Sequence, residues 1–304
     1  MNRKYFLFFR YRVAPSLTLE LRTNQKEIGK EIGEFLFWNR QRANPSKKIR
    51  LSLVWDQTRK QYKLATRSFR LCASKVADLF PAIDFHVRSE SLSRLPTRFF
   101  PIHSAGLVKN HRSILLVGKS GIGKSTALSE LIRFGFLGLS DELNFLDLKT
   151  LCVFPYERTW VTESENGKIV KEDFSRQVLV RRKIGKKTGK PIVHYYLSAR
   201  QSKRNRASRP QKIGCLYHLK MRTARSKRII FLGPAEIFNV IVNNEYAAFL
   251  RTSSKKPVEK KFEGLLRGLF KALPVLTDKL SGYEVRIHPK SMFSQVISGQ
   301  SVSS

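Results

Sequence analysis

The stretch Gly118-Lys119-Ser120-Gly121-Ile122-Gly123-Lys124-Ser125-Thr126 carries the residue types and spacing that most directly imply chemistry. It fits G-x-x-x-x-G-K-[ST], a loop whose backbone amides cradle the phosphates of a nucleotide. Glycine at 121 and 123 lets the chain turn tightly and turn its N–H groups toward an anion. Lys124 would reach the outer phosphates, and the Ser125 hydroxyl would coordinate the Mg2+ that bridges them. A helix starting here would aim the positive end of its dipole at the same place.

Phosphoryl transfer also needs a group that orients the attacking oxygen. Asp141 and Glu142 follow at the end of the next strand-like run, where an α/β sheet brings side chains to a ligand. Such a pair can hold a metal and accept a hydroxyl proton; taken alone, it reads more often as a solvated loop or a helix cap. His103, taken alone, reads as a structural histidine. Cys72, Cys152 and Cys215 are far apart and form no C-x-x-C pair, so they point neither to zinc nor to a disulfide framework.

Several elements must position these residues. Ile114-Leu115-Leu116-Val117 reads as a strand entering the glycine-rich loop, and Ala127–Ile132 as the helix leaving it, ended by Gly135. Gly138–Leu143 and Leu151–Phe154 read as further strands. Upstream, residues 1–98 form a β-rich module. Leu17, Leu19 and Leu21 alternate with polar residues, Ile49–Val54 and Tyr62–Thr66 read as a hairpin, and Ile28–Leu36 as a short helix. Downstream, Ile229–Leu232 reads as a strand and Pro234 as a helix start, while Phe262, Leu265, Leu266, Leu269 and Phe270 mark one face of an amphipathic helix. These runs define a second domain over residues 99–289. The serine-rich residues 290–304 read as a disordered tail.

The 304-residue chain has a formal net charge of +35. Such a charge draws anionic partners and weakens as salt screens it. From Phe174 to Ala235 there is no acidic residue, and residues 176–228 read as a basic insertion or a long exposed hairpin. Its tyrosines, Tyr195, Tyr196 and Tyr217, are few for a base-stacking platform. No apolar run reaches the ~20 residues that cross a bilayer, and Arg10 and Arg12 interrupt the early run Tyr5–Phe9. A cytoplasmic protein is expected.

The stretch Ile102-His103-Ser104-Ala105-Gly106, the loop Leu115–Thr126, Ile132–Phe136 and Leu139-Ser140-Asp141-Glu142 together resemble the catalytic domain of HPr kinase/phosphorylase and its relatives. A weaker likeness runs through Leu232–Glu236 into the C-terminal helix. The resemblance implies an α/β fold with a P-loop kinase core of the HPr kinase and phosphoenolpyruvate carboxykinase type. It implies a serine kinase using ATP and Mg2+. His103 would stand beside the active site, and Lys124 and Ser125 would contact the phosphates and metal. Asp141 and Glu142 would take the serine proton, with Asp141 also a metal partner. Two departures are visible: the family usually has a second aspartate where this chain has Glu142, and its later metal-binding glutamate has no counterpart between Phe174 and Ala235. The acceptor expected is a serine on a peptide or protein, acidic enough to be drawn to a basic surface, and homo-oligomers are allowed. The alternatives are a nucleotide-gated nucleic-acid-binding protein using residues 176–228, or an ATP-binding regulatory relative without turnover.

Overall fold

The structure is a computed structural model and describes residues 6–37, 39, 47–164, 178–184, 191–197, 205–207, 209–221, 228–244, 247 and 256–287. In chain order the elements are β1 (Leu7–Ala14), β2 (Leu17–Thr23), α1 (Lys26–Phe35), β3 (Lys48–Asp56), β4 (Gln61–Ala65), β5 (Arg70–Ala73) and α2 (Phe80–Arg94). There follow β6 (Phe99–Lys109), β7 (Arg112–Val117), α3 (Lys124–Arg133), β8 (Leu137–Gly138), β9 (Leu143–Asp147) and β10 (Cys152–Pro155). Then come β11 (Val161–Ser164), β12 (Val178–Ile184), β13 (Pro191–Leu197), β14 (Gln211–Met221) and β15 (Arg228–Leu232). The last are α4 (Pro234–Val242), α5 (Lys256–Lys279) and β16 (Ser281–Ile287). This is a mixed α/β protein. Among the described residues, no helix is long and apolar enough to cross a membrane.

The chain divides into two compact units, each discontinuous in sequence: Met1–Leu95 with Glu157–Arg204, and Pro96–Tyr156 with Asn205–Ser304. The unbroken second domain over 99–289 is thereby corrected, since Glu157–Arg204 clusters with the N-terminal residues. The expected disordered tail over 290–304 lies outside the described residues.

In the first unit, strands run in the order β1-β2-β3-β4-β5. β2 and β3 are parallel and joined through α1, while β1/β2, β3/β4 and β4/β5 are antiparallel. Strict alternation sends Phe9, Tyr11, Leu19, Leu21, Ile49, Leu51 and Leu64 into the core. There α1 lies so close to β1 that a Cβ on Gly29 would come within 2.3 Å of the Phe9 ring. The Tyr11 hydroxyl donates to the Gly29 carbonyl at the same contact. Residues 157–160 complete this unit: Arg158 Nη1 meets Asp84 Oδ2 of α2 at 2.9 Å, and Arg12 Nη2 meets Glu157 Oε1 at 2.6 Å. β11, β13 and β12 form a separate three-stranded antiparallel sheet.

The second unit holds eight strands, in the order β10-β9-β6-β7-β14-β16-β15, with β8 paired to β6. β6 and β7 form an antiparallel hairpin turned by Asn110 and His111, both at positive φ. β7, β14 and β16 are mutually parallel. β10 also pairs with the start of β14, so β10, β9, β6, β7 and β14 close into a ring. α3 packs Ala127, Leu128 and Leu131 onto Leu107, Leu116, Tyr217, Leu219 and Val285. Gly282 alternates with Tyr283 and lies against Ile237, which puts α4 on the opposite face.

β14 overturns the reading of residues 176–228 as one basic insertion. β12 and β13 do pair as a hairpin, but Gln211–Met221 is an interior strand of the large sheet. Ile213, Leu216 and Leu219 of this strand are buried. The expected strand over Gly138–Leu143 is likewise interrupted. Gly138 exchanges backbone hydrogen bonds with Asn205 and Ala207, and the chain bends at 141–142 before β9.

The α1–β1 contact makes a direct prediction. Gly29→Ala should destabilise the protein by about 1–3 kcal/mol, because the methyl group forces the Phe9 ring off its packing position. Chemical denaturation followed by circular dichroism checks it, and an unchanged midpoint would show that the ring yields at no cost.

Candidate functional site

The glycine-rich loop leaves β7 at its C-terminal end and turns directly into α3. Its first residue, Gly118, passes so close to β14 that a Cβ would lie 2.8 Å from the Leu219 carbonyl oxygen. Only glycine fits that approach. Gly121 (φ 80°) and Gly123 (φ 98°) are left-handed, with nothing within 4 Å of an added Cβ, so backbone conformation rather than crowding requires glycine there. Gly123 is also the N-cap of α3 and, having no side chain, makes no capping hydrogen bond to the first N–H groups of the helix.

Lys124 opens the helix, yet its side chain is buried, at 6% exposure. Its Nζ donates to the carbonyl oxygens of Gly118 at 2.8 Å and Lys119 at 3.1 Å. The ammonium therefore sits inside the curve of its own loop. Ser125 is half-buried on the first turn and Thr126 is exposed, while Ile122 is tucked against the α3 core cluster. Lys119, Ser120 and Gly121 form the exposed outer arc.

β6 lies beside β7, with Ser104 opposite Val117, so His103 stands at the strand end from which the loop departs. On its other side β6 meets the bend at 141–142, where the Ser104 N–H donates to the Glu142 carbonyl at 3.2 Å. Asp141 is buried at 5% exposure. Glu142 is partly exposed, and its Oε1 lies 4.0 Å from His103 Nε2. The bend is shaped by the buried Ser140 hydroxyl, which accepts from the N–H groups of Glu142 and Leu143, both at 3.4 Å. His103, Glu142 and the base of the loop thus converge on one end of three neighbouring strands. Asp141 and Glu142 occupy the bend before β9 rather than the end of a strand.

Two asparagines hold this framework from behind, and neither was singled out from sequence. The side chain of Asn144 donates to the Ser104 carbonyl at 2.8 Å and to its hydroxyl at 3.0 Å. Gly106 must lack a side chain, since a Cβ there would come within 2.6 Å of Asn144 Oδ1. Asn244, just past α4, accepts from the His103 N–H at 3.2 Å and donates to the Pro101 carbonyl at 3.2 Å. The only sequence signal for Asn244 is its place at a helix end, where Asn is common for backbone reasons alone.

A charged cluster also escaped the sequence reading. Glu284 on β16 is buried between Lys220 Nζ, 2.7 Å away, and Arg286 Nε, 2.6 Å away. Burial works against its ionisation, but hydrogen bonds from Lys220 and Arg286 overcome that and hold the carboxyl below its usual range. His218 pairs in register with both Glu284 and Val117. Burial lowers its pKa, nearby Lys220 lowers it further, and Glu284 opposes both.

A depressed imidazole pKa means that the unfolded chain takes up a proton before the folded one does. His218 therefore costs nothing well above the ordinary imidazole value of 6.5 and destabilises the fold as the pH drops below it. His218→Gln should flatten the loss of stability on that acid side and leave stability above neutrality nearly unchanged. Denaturant titrations across that pH range check it, and an unaltered acid slope would show that the buried imidazole is not responsible.

Comparison of the chain with protein-family models and with curated proteins finds no match. The residues and geometry described above are therefore the ground for a functional reading.

Proposed function

We propose that the chain is an ATP-dependent kinase that transfers the γ-phosphoryl group to a serine hydroxyl of a peptide or protein, on a P-loop core of the HPr kinase type. One observation carries the reading: a lysine at the first position of α3 curls back into a loop with two left-handed glycines, at the C-terminal end of a strand in a parallel trio. A loop of that form presents N–H donors and an ammonium to one point, which is what a polyphosphate needs.

The residues present also fit Mg2+. This ion characteristically takes one or two protein oxygens and completes its shell with phosphate and water. Ser125, on the first turn of α3, and Asp141, in the bend beside β6, would hold it. When bound, the ion neutralises charge on the outer phosphates.

The remaining work falls to the chain itself. The loop amides and Lys124 would bind and orient the phosphates, the ammonium exchanging its two carbonyl partners for phosphate oxygens. Asp141 would accept the serine proton, and its burial would keep bulk water from competing. Glu142 and His103, 4.0 Å apart, would flank the incoming hydroxyl. Asn244 would fix the His103 backbone from behind.

Lys124→Ala should lower Mg-ATP affinity by at least about tenfold in calorimetry, since it removes a charge from the phosphate contact. Asp141→Asn should keep ATP binding within a few-fold and reduce transfer of label from γ-labelled ATP by at least about a hundredfold, because the amide keeps the shape and cannot take a proton. Undiminished transfer in Asp141→Asn would remove that residue from the role. Tight ATP binding without transfer to any serine-containing peptide or protein in the wild-type chain would favour a regulatory ATP binder instead.

A further inference from the structure

In the first unit, α1 covers the face of the five-stranded sheet that carries Phe9 and Tyr11. Phe9, Tyr11, Leu19 and Leu51 point to that covered face, so the intervening residues point away from it. Cross-strand pairing arranges the outward residues in rows. The row Arg12, Thr18 and Lys48 is itself covered, with Thr18 buried and Arg12 bonded to Glu157; the next row, Arg10, Glu20 and Arg50, is not. A third runs across the whole sheet through Phe8, Arg22, Ser52, Ala65 and Arg70. A fourth places Lys63 between Val54 and Cys72.

The charge of this unit is divided between its layers. Strands β1–β5 carry seven Lys and Arg residues against two carboxylates, Glu20 and Asp56. The two helices behind them carry four Lys and Arg against five Asp and Glu. A compositional bias spread evenly over the chain would have charged both layers alike.

The outward face is also organised. Glu20 draws Arg10, Lys48 and Arg50 together, at 3.1, 3.3 and 3.4 Å, so one carboxylate anchors three cations and leaves the group positive. Arg50 remains 70% exposed. The Arg22 guanidinium carbon lies over the Phe6 ring, 3.6 Å from its centroid, and Phe8 is 57% exposed. Cations in register beside the solvent-facing Phe8 ring form a surface for a chain of phosphates that also carries flat bases.

We propose that this sheet face binds single-stranded nucleic acid, with Arg10, Arg22, Arg50 and Lys63 on the phosphates and Phe8 stacked on a base. Charge complementarity asks for a polyanion. The exposed ring favours bases over an acidic peptide, and unstacked bases over a duplex, in which the ring faces are already covered. The surface lies on strands β1–β5, not on the basic 176–228 stretch, and its occupation needs neither ATP nor the glycine-rich loop.

The test uses the full chain, without nucleotide or metal, titrated into a fluorescently labelled mixed-sequence RNA of about twelve nucleotides, within the site sizes such surfaces cover. Binding should weaken with salt, with a log–log slope of about −0.7 for each phosphate neutralised. Arg22→Glu with Arg50→Glu should weaken binding at least about tenfold and make that slope shallower. Phe8→Ala should weaken it about tenfold and leave the slope unchanged, since stacking releases no counterions. Lys26→Glu with Lys30→Glu, on exposed positions of α1, should alter affinity by no more than about twofold. Circular dichroism melts confirm that each variant is folded.

Three results would overturn the proposal: no RNA binding by the wild-type chain at low salt, equal weakening by the α1 pair, or tighter binding to a duplex of the same sequence. A poly-glutamate chain that displaces the RNA, together with an unaffected Phe8→Ala variant, would also overturn it and assign the face to acidic peptides. None of these outcomes bears on ATP binding, so the kinase reading stands or falls separately.

Discussion

Burial of the Lys124 ammonium within its own loop is the interaction on which the second unit turns. A charged group at 6% exposure must find partners, and here they include the carbonyls of Gly118 and Lys119. That requirement sets the curvature of the loop, and the curvature in turn demands left-handed backbone at positions 121 and 123. It also fixes where α3 begins, and hence how Ala127, Leu128 and Leu131 meet the sheet. The conformation that satisfies the lysine is therefore the one that seats the helix.

The sheet beneath answers to the same point. Gly118 can rest against the Leu219 carbonyl only because β14 lies beside β7 in parallel, and β14 is held there by β16 on its other edge and by β10 at its start. On the far side, β6 brings His103 level with the end of β7, and the Ser140 turn brings the acidic bend up to β6. Buried amides at Asn144 and Asn244 take up backbone groups that the ladder leaves over at this end. These contacts are polar, short-range and mutually dependent, which suits a rigid support for a charged site.

How much of this could be read from residues alone depended on the kind of signal. The loop was legible because glycine spacing, lysine and hydroxyl report on backbone conformation directly, and the flanking apolar runs named β7 and α3. The hairpin β3/β4, the helix α1 and the helix start at Pro234 were legible from local periodicity and turn chemistry. β14 was not. Its apolar residues Ile213, Leu216 and Leu219 lie between Lys212 and Lys220 in an acid-free region, so net charge outweighed a pattern that was present. Asn144 and Asn244 were invisible for another reason: their role depends on which backbone atoms lie opposite, and that is set only by tertiary packing. The layered charge of the first unit needed strand register before alternate residues could be assigned to faces.

The route of the chain has a consequence for how the molecule is made. Glu157–Arg204 separates β10 from β14 in sequence but clusters with the N-terminal residues. During synthesis the hairpin β6/β7 and α3 emerge well before their parallel neighbour, while Asp84 waits for Arg158 to arrive from 74 positions away. Pairings of such long span slow folding and leave sheet edges bare in the interim. For the same reason no single cut frees either unit intact: a break after Leu95 strands Asp84 without the Arg158 guanidinium and leaves Glu157 in the C-terminal fragment without Arg12.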